Sequence, residues 1–258
     1  MAKFVWISFL VAAAVCAANA ERIIGGDVAT IDKFPGAVQV EGRITILWSH
    51  MCGGATLTTN IILTAASCFD GILILARNRR IRAGATQRGY GGATYSVDRF
   101  LNHPSYGDQG NDADLCIVRL ETRMVYGPTI QPVSIPPQGF ILPENMPVTF
   151  VGWGDITNGG SSSDVIRSVE TTTIGASLCS QLYSSLSRPE VITYNMICAG
   201  GNIVGGKGAC EGDWGGPMYY DNIVMGIISF SETCKDPRMP TVSTRVSSYT
   251  NWIVQNAN

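Results

Sequence analysis

Short strand-like runs separated by turn residues are the feature that most constrains the fold of this chain. From Gly36 onward, segments rich in Val, Ile and Thr alternate with clusters of Gly, Asn, Ser and Pro. The clearest such segments are 37–40, 44–48, 148–151 and 223–230. Many short strands at regular spacing are typical of all-β sandwiches and barrels, so we predict one of these architectures.

Two segments depart from the strand pattern and predict helices, 176–186 and 249–255. The Pro-rich segment 131–137 is the best candidate for a linker between two halves. Halves of about 115 residues fit ordinary domain sizes.

The first 20 residues predict a secretory signal peptide. A positive start at Lys3 precedes the apolar run 4–18, and Ala18-Asn19-Ala20 has the small residues of a cleavage site. The run is shorter than the ~20 apolar residues that a membrane span needs. We therefore expect a secreted, extracellular protein without a membrane span.

Composition and charge exclude several classes of protein. Hydrophobic residues make up 45% of the chain and charged residues 15%, which is unlike intrinsically disordered sequences. A formal net charge of −2 provides no broad positive field for nucleic acid. We expect no nucleic-acid partner, no metal and no cofactor.

Removal of the signal peptide leaves an odd number of cysteines, which are Cys52, Cys68, Cys116, Cys179, Cys198, Cys210 and Cys234. In an oxidising compartment they are expected to pair, and one must remain unpaired. Cys116 lies in the apolar run 114–120, where a free cysteine is most simply a small buried hydrophobic residue.

Several motifs in order carry a more specific signal. They are RIIGG at 22–26, LTAASC at 63–68, Asp114 in DLCIVRL, and CEGDWGGP at 210–217. With them the chain resembles the trypsin/chymotrypsin family of secreted serine proteases over residues 23–258. The resemblance implies two six-stranded antiparallel β-barrels with a short C-terminal helix and a cleft between the barrels. We place the barrels at about 23–134 and 135–258, after a two-residue activation segment, 21–22.

Two positions differ from the family's catalytic motifs. The family pattern Thr-Ala-Ala-His-Cys has Ser67 in place of its His, and Gly-Asp-Ser-Gly-Gly-Pro has Trp214 in place of its Ser. Of the triad positions only Asp114 keeps the family residue. Indole is a hydrogen-bond donor only, and a serine hydroxyl is a far weaker base than imidazole. On this reasoning we expect a pseudoenzyme with no intact catalytic triad, and His50 and His103 to lie too far away to replace the base.

The leading functional hypothesis is a secreted non-catalytic homologue that binds a peptide, a protease inhibitor or a protease, as a monomer. The alternative is an active serine-type endopeptidase, as membership of the family would imply. A third hypothesis is a structural or storage protein of a gut lumen. The excess of Arg (14) over Lys (4) suits an alkaline fluid, and the sequence resembles lepidopteran midgut members of the family.

The resemblance also assigns other positions. Cleavage after Arg22 would free Ile23 to pair with Asp213, a carboxylate that His50 would hold before cleavage. The backbone amides of Gly212 and Trp214 would form an oxyanion hole. The specificity pocket would be lined by Gly208, Ser229, Phe230, Ser231 and Thr241, and its lack of an acidic base predicts no preference for Arg or Lys. The implied disulfides are Cys52–Cys68, Cys179–Cys198 and Cys210–Cys234.

Two features stay open at this level. Trp214 is either a filler of the cleft, which we favour, or an aromatic anchor for a partner. Arginines at 77, 79, 80 and 82 either bind a sulfated polymer, an anionic lipid surface or an acidic partner, or lie on a solvated strand and loop. We favour the solvated strand.

Overall fold

The computed structural model describes residues 26–43, 46–71, 74–156, 160–201, 207–232, 236 and 238–257. The predicted signal peptide, the activation residues Arg22 and Ile23, and Cys234 lie outside the described residues. The strands are β1 (Asp27–Val28), β2 (Ala37–Arg43), β3 (Trp48–Thr56), β4 (Ile61–Thr64), β5 (Arg79–Ala83), β6 (Ala93–Asn102), β7 (Cys116–Leu120), β8 (Pro147–Gly152), β9 (Arg167–Ile174), β10 (Met196–Ala199), β11 (Pro217–Tyr220), β12 (Ile223–Ser231) and β13 (Thr241–Arg245).

Six strands close the first barrel in the order β2-β3-β4-β7-β6-β5. All of its pairings are antiparallel. Its interior is filled by branched aliphatic side chains, such as Ile62 and Leu63, which are fully buried. Branched residues pack well on a pleated surface, which is why these short segments form strands.

The second barrel is built from β8 to β13. Its sheet runs β1-β9-β10-β13-β12-β11-β8, and a further pairing of β8 with β9 closes the six strands β8 to β13. Phe150, Met218 and Ile228 fill a core of their own inside it. The prediction of an all-β fold with two six-stranded antiparallel barrels is confirmed.

The helices are α1 (Ala176–Ser184) and α2 (Thr250–Asn256). The C-terminal helix α2 follows the second barrel in the chain, yet its Trp252 packs edge-on against His103, just after β6 of the first barrel, with 4.7 Å between ring centroids. Conversely, β1 precedes the first barrel and pairs with β9 of the second. The elements β1 and α2 therefore each connect one barrel to the other. In the described part of the chain, no helix is long and apolar enough to cross a membrane.

The segment 131–137 connects the barrels and is fixed on both sides. The amides of Gln131 and Val133 donate to Pro35 (3.0 Å) and Thr56 (2.8 Å) of the first half. The carbonyl of Ser134 accepts from the amide of Val224 (2.9 Å) in the second barrel. The predicted linker is thus an ordered connection that holds the barrels at a fixed spacing.

Two disulfides lie in the described residues, Cys52–Cys68 and Cys179–Cys198, with sequence separations of 16 and 19. Cys116 is free and buried. Cys210 is also disulfide-bonded, and its expected partner, Cys234, is outside the described residues.

Candidate functional site

A buried carboxylate, Asp114, lies where the two barrels meet. It is 1% exposed, and it accepts hydrogen bonds from the amide of Ser67 (2.7 Å), the hydroxyl of Ser67 (3.0 Å) and the hydroxyl of Ser229 (2.6 Å). Burial raises the pKa of Asp114, and the hydrogen bonds from Ser229 and Ser67 oppose that shift. The site is therefore a carboxylate with two hydroxyl donors.

Each side chain reaches this point from a different element. Ser67 is on the short 3-10 turn that follows β4, beside the disulfide formed by Cys68. Asp114 lies two residues before β7 and comes after Ala113, whose φ is +54°. Ser229 belongs to β12 of the second barrel. Asp114 consequently joins the barrels, and the hydroxyl of Thr244 also donates to its main-chain carbonyl (3.2 Å).

The two hydroxyls differ in access. Ser229 is 6% exposed and points into the junction, whereas Ser67 is exposed. Ser229 was predicted to line the specificity pocket, and its hydrogen bond to Asp114 was not predicted. No sequence signal was available for this contact, because the two residues are 115 positions apart.

Trp214 occupies a turn bounded by two glycines with positive φ, Gly212 (+89°) and Gly215 (+78°). Its carbonyl accepts from the amide of Gly53 (2.8 Å) in the first barrel. The indole is half-buried and packs against the apolar cores of both barrels. Trp214 therefore lies at the junction between the barrels, and its carbonyl oxygen is 3.7 Å from Sγ of Cys68, the residue after Ser67.

Three main-chain amides of this turn donate hydrogen bonds to described residues, and two do not. Those of Asp213, Gly215 and Gly216 donate to Cys210, Ile228 and Asp213. Among the described residues, the amides of Gly212 and Trp214 have no acceptor. These are the two amides that the resemblance assigned to an oxyanion hole.

Asp213 is a second buried carboxylate at the base of the turn. Its Oδ1 accepts from the amide of Gly154 (2.7 Å) and its Oδ2 from the amide of Cys210 (3.0 Å). Burial raises the pKa of Asp213 to about 6, although both hydrogen bonds act against the shift. Ile23, its expected partner after cleavage, is outside the described residues.

His50 lies beside the same turn, but its ring contacts the main chain. The Nε2 atom is 2.9 Å from the carbonyl oxygen of Gly212, so Nε2 carries the proton and donates. Burial lowers the pKa of His50 to about 4. The family resemblance implied that His50 holds the Asp213 carboxylate, whereas its ring bonds to the carbonyl oxygen of the preceding residue, Gly212.

The other histidine, His103, packs edge-on against Tyr249 (4.8 Å between ring centroids) and Trp252 (4.7 Å). These are the two histidines of the chain. Neither imidazole bonds to Asp114, whose side-chain donors are the hydroxyls of Ser67 and Ser229.

The residues assigned to the specificity pocket lie together on the second barrel. Gly208 is buried, and the amide of its neighbour Ala209 donates to the hydroxyl of Thr241 (2.9 Å). That hydroxyl is also 3.3 Å from the hydroxyl of Ser231. The ring of Phe230 stands edge-on to Tyr183, with 5.4 Å between centroids. Thr241 is therefore held in place by its own hydrogen bonds. In the described part of the chain, no group of three or more His, Cys, Asp or Glu is placed to hold a metal ion.

Comparisons with known proteins agree with this architecture. The family model described as Trypsin matches residues 23–253. The chain belongs to the trypsin family. It is 37% identical over 248 residues to a protein named "Trypsin, alkaline B" of Manduca sexta, with 95% of each chain covered. It is also 36% identical to "Trypsin, alkaline C" of that species over the same shares, and 37% identical to "Trypsin CFT-1" of Choristoneura fumiferana, with 92% and 91% covered.

These relatives contradict the prediction that this trypsin-family chain is not an enzyme. Proteins named as trypsins match 95% of the chain at 36–37% identity, which points to a serine endopeptidase. The prediction of a pseudoenzyme depended on two side chains, Ser67 and Trp214. The similarity extends over both barrels, so it includes the whole framework that forms the cleft.

Proposed function

We propose that this chain takes a polypeptide into the cleft between its barrels, at the site built on Asp114. The observation that carries the proposal is an exposed residue, Ser67, whose hydroxyl is held 3.0 Å from the buried carboxylate of Asp114. An accessible hydroxyl bonded to a carboxylate is a polar anchor suited to a peptide group. The similarity to proteins named as trypsins supports a polypeptide as the ligand.

Hydrolysis of the bound peptide bond is the second candidate, and the names of the relatives favour it. Among the described residues, the hydroxyl available to attack the peptide bond is that of Ser67. The group available to accept its proton is the carboxylate of Asp114. Burial raises the pKa of Asp114, which makes its carboxylate a better proton acceptor than an ordinary one. A carboxylate is still a weaker base than imidazole, so turnover through this pair is expected to be slower by roughly 10²–10⁴-fold than at an imidazole-assisted site.

The amides of Gly212 and Trp214 support the same candidate. Both lack an acceptor among the described residues, and paired amides of this kind stabilise the oxyanion that forms when a peptide carbonyl is attacked. In this proposal they bind the carbonyl oxygen of the ligand, and the indole of Trp214 forms one wall of the site.

The experiment measures binding and cleavage of labelled peptide libraries on one purified preparation. Ser67→Ala and Asp114→Asn test the site, and Ser184→Ala is the matched control, since it removes an exposed hydroxyl on α1. Ser67→His/Trp214→Ser, which installs the family residues, is the positive control for the assay. We expect saturable binding that both site variants weaken and the control leaves unchanged. If cleavage occurs through this pair, both site variants lower it by about 100-fold or more.

Two results would contradict the proposal. The absence of saturable peptide binding by the wild type, with the positive control active, would remove the cleft as a polypeptide site. Cleavage that survives in Ser67→Ala and Asp114→Asn would assign hydrolysis to other atoms. Saturable binding without cleavage keeps the polypeptide site and rejects hydrolysis as the second candidate.

We also propose a location, an oligomeric state and an activation step for the protein. We place the protein outside the cell, as a monomer that meets substrates, inhibitors or other proteases, with activation by cleavage after Arg22. The relatives from Manduca sexta are named as alkaline, and guanidinium groups keep their charge at high pH. An alkaline gut lumen therefore fits 14 Arg against 4 Lys. Detection of the protein only in a neutral fluid would contradict that location.

A further inference from the structure

Two arginines of the run 77–82 form ion pairs with a single carboxylate on the first barrel. Glu41 of β2 is 1% exposed, and its two oxygens accept from Nε of Arg80 (2.5 Å) and Nε of Arg82 (2.6 Å) on the neighbouring strand β5. Arg82 also donates to the carbonyl of Gly91 (2.6 Å). One negative charge therefore faces two positive charges, and Glu41 neutralises only half of the pair.

The interpretation of this run as a solvated strand applies only in part. Arg79 and Arg82 are buried, at 6% and 9% exposure, and the guanidinium of Arg79 lies over the ring of Phe69, 6.0 Å from its centroid. Burial lowers the pKa of Arg79. Arg77 is exposed, and the side chain of Arg80 is 24% exposed.

The positively charged surface continues to β3, where two guanidinium groups contact one aromatic ring. The guanidinium groups of Arg80 and Arg43 both lie over the ring of Trp48, at 4.5 Å and 5.2 Å from its centroid. Arg43 is also the cross-strand neighbour of Trp48. A guanidinium group over an indole ring is attracted to the ring face, so Trp48 helps to hold both arginines at this end of the barrel.

We call Arg43, Trp48, Arg77 and Arg80 the basic edge. Among the described residues, no carboxylate pairs with Arg43 or Arg77, although the whole chain has a net charge of −2. Two apolar side chains precede Trp48 in the chain and are largely exposed, Ile46 (86%) and Leu47 (71%). Positive charge and apolar surface therefore occur side by side at this end of β2 and β3.

We infer that the basic edge is a docking surface for an acidic polypeptide segment that also carries apolar side chains. Arginine forks bind carboxylates through two parallel hydrogen bonds, and the ring of Trp48 with its exposed neighbours suits apolar side chains of the same segment. A sulfated polysaccharide supplies anions without such side chains, so the mixed surface favours a polypeptide. None of these residues belongs to the Asp114 site, and the inference is independent of the proposed function.

The test uses a short labelled peptide of alternating acidic and apolar residues with the full mature protein, read by fluorescence polarisation. Arg43→Glu and Arg77→Glu reverse one charge each, and Trp48→Ala removes the ring. The matched control is Arg123→Glu. Arg123 is exposed and adjoins Met124, whose amide donates to Thr59 near the opposite end of β3.

We expect each charge reversal to weaken peptide binding about tenfold and Arg123→Glu to change it by less than about twofold. Binding is expected to fall with added salt, because the contacts are between exposed charges. We expect Trp48→Ala to weaken the alternating peptide about fivefold, and thermal melting to show that each variant is folded.

Several outcomes would overturn the inference. An equal loss in Arg123→Glu would mean that the general field of the protein binds the peptide. Equal or tighter binding of heparin, of anionic lipid vesicles, or of an all-acidic peptide without apolar residues would assign the surface to another ligand class. Peptide binding in the cleft is measured separately with Ser67→Ala, so failure of one proposal is distinguishable from failure of the other.

Discussion

At the scale of single residues, two titratable groups adjoin Gly212, one on β3 and one in the turn that carries Trp214, and their pKa values are shifted in opposite directions. Burial raises the pKa of Asp213 to about 6, above the usual range of a carboxyl group, and lowers the pKa of His50 to about 4, below the usual range of an imidazole. Burial is the largest cause of both shifts, because it disfavours the charged form of an acid and of a base alike. Gly212 connects them, since His50 donates to its carbonyl and Asp213 is the next residue.

These shifts make opposite contributions to stability between pH 4 and 6. Folded Asp213 retains its proton where the unfolded chain has lost it, so its contribution falls as the pH rises through this interval. Folded His50 stays neutral where the unfolded chain is protonated, so its contribution increases with pH over the same interval. Each contribution approaches a slope of about 1.4 kcal/mol per pH unit, and the two largely cancel.

The cancellation predicts the behaviour of two variants in the chain that has not been cut after Arg22. Compared with wild type, we expect the unfolding free energy of Asp213→Asn to rise with pH between about 4 and 6, and that of His50→Gln to fall, by roughly 1 kcal/mol per pH unit. Urea denaturation at a series of pH values measures both slopes. Asp108→Asn, at an exposed carboxylate, is the control expected to run parallel to wild type, and parallel curves for all variants would refute the assignment.

At the scale of elements, the turn that carries Trp214 is in close contact with the first barrel at Gly215. Its φ is +78°, and an added Cβ would lie 2.2 Å from Oγ1 of Thr64 and 2.7 Å from the carbonyl oxygen of Gly53. The hydroxyl of Thr64 itself donates to that carbonyl (2.8 Å). Only glycine allows the two main chains to approach this closely.

A pair of glycine substitutions separates steric contact from backbone strain. Gly215→Ala is expected to lower the unfolding free energy by about 3 kcal/mol or more, because it combines left-handed backbone with overlap. Gly110 has a similar φ of +64° and nothing within 4 Å of an added Cβ, so Gly110→Ala is expected to cost about 1 kcal/mol. Equal losses in chemical denaturation would show that the inter-barrel contact contributes nothing at Gly215.

At the scale of the whole molecule, the barrels are joined by contacts that no local segment contains. Asp112, on the loop that leads to Asp114, accepts from the hydroxyl of Thr193 (2.8 Å) and from the side-chain Nδ2 of Asn195 (3.0 Å), both just before β10. The hydroxyl of Tyr249 donates to the same carboxylate at 3.4 Å. We call the three hydrogen bonds that Asp112 accepts from Thr193, Asn195 and Tyr249 the clamp. The clamp fixes the loop that positions Asp114 at the junction of the barrels.

Removal of the clamp is expected to loosen one barrel from the other. Asp112→Ala leaves three donors without their acceptor, and we expect a loss of about 2 kcal/mol in unfolding free energy. Amide hydrogen exchange is expected to speed up in segments 105–113 and 193–195, while the barrel interiors stay protected. Asp108→Ala, at an exposed carboxylate of the same loop, is the control. Unchanged exchange in Asp112→Ala would contradict the role of the clamp.

Much of the fold was predictable from periodicity and turn residues. The predicted strands 37–40, 148–151 and 223–230 lie within β2, β8 and β12, and the predicted helices 176–186 and 249–255 correspond to α1 and α2. The predicted strand 44–48 is wrong at 46–47, and of its described residues only Trp48 belongs to a strand, β3. Element ends were less certain, because they depend on the partner strand. Pairing with β3 and β5 extends β2 to Arg43, for example.

Apolar periodicity and motif identity are local properties, and they were enough to predict the all-β class, the two halves and the residues available at the site. The bonds of Asp114 to Ser67 and Ser229, the bond from His50 to Gly212, and the sharing of Glu41 by two arginines exist only in the folded chain. These contacts join residues separated by 39 to 162 positions. Their energies come from burial and geometry at the meeting of distant strands, which no local pattern encodes.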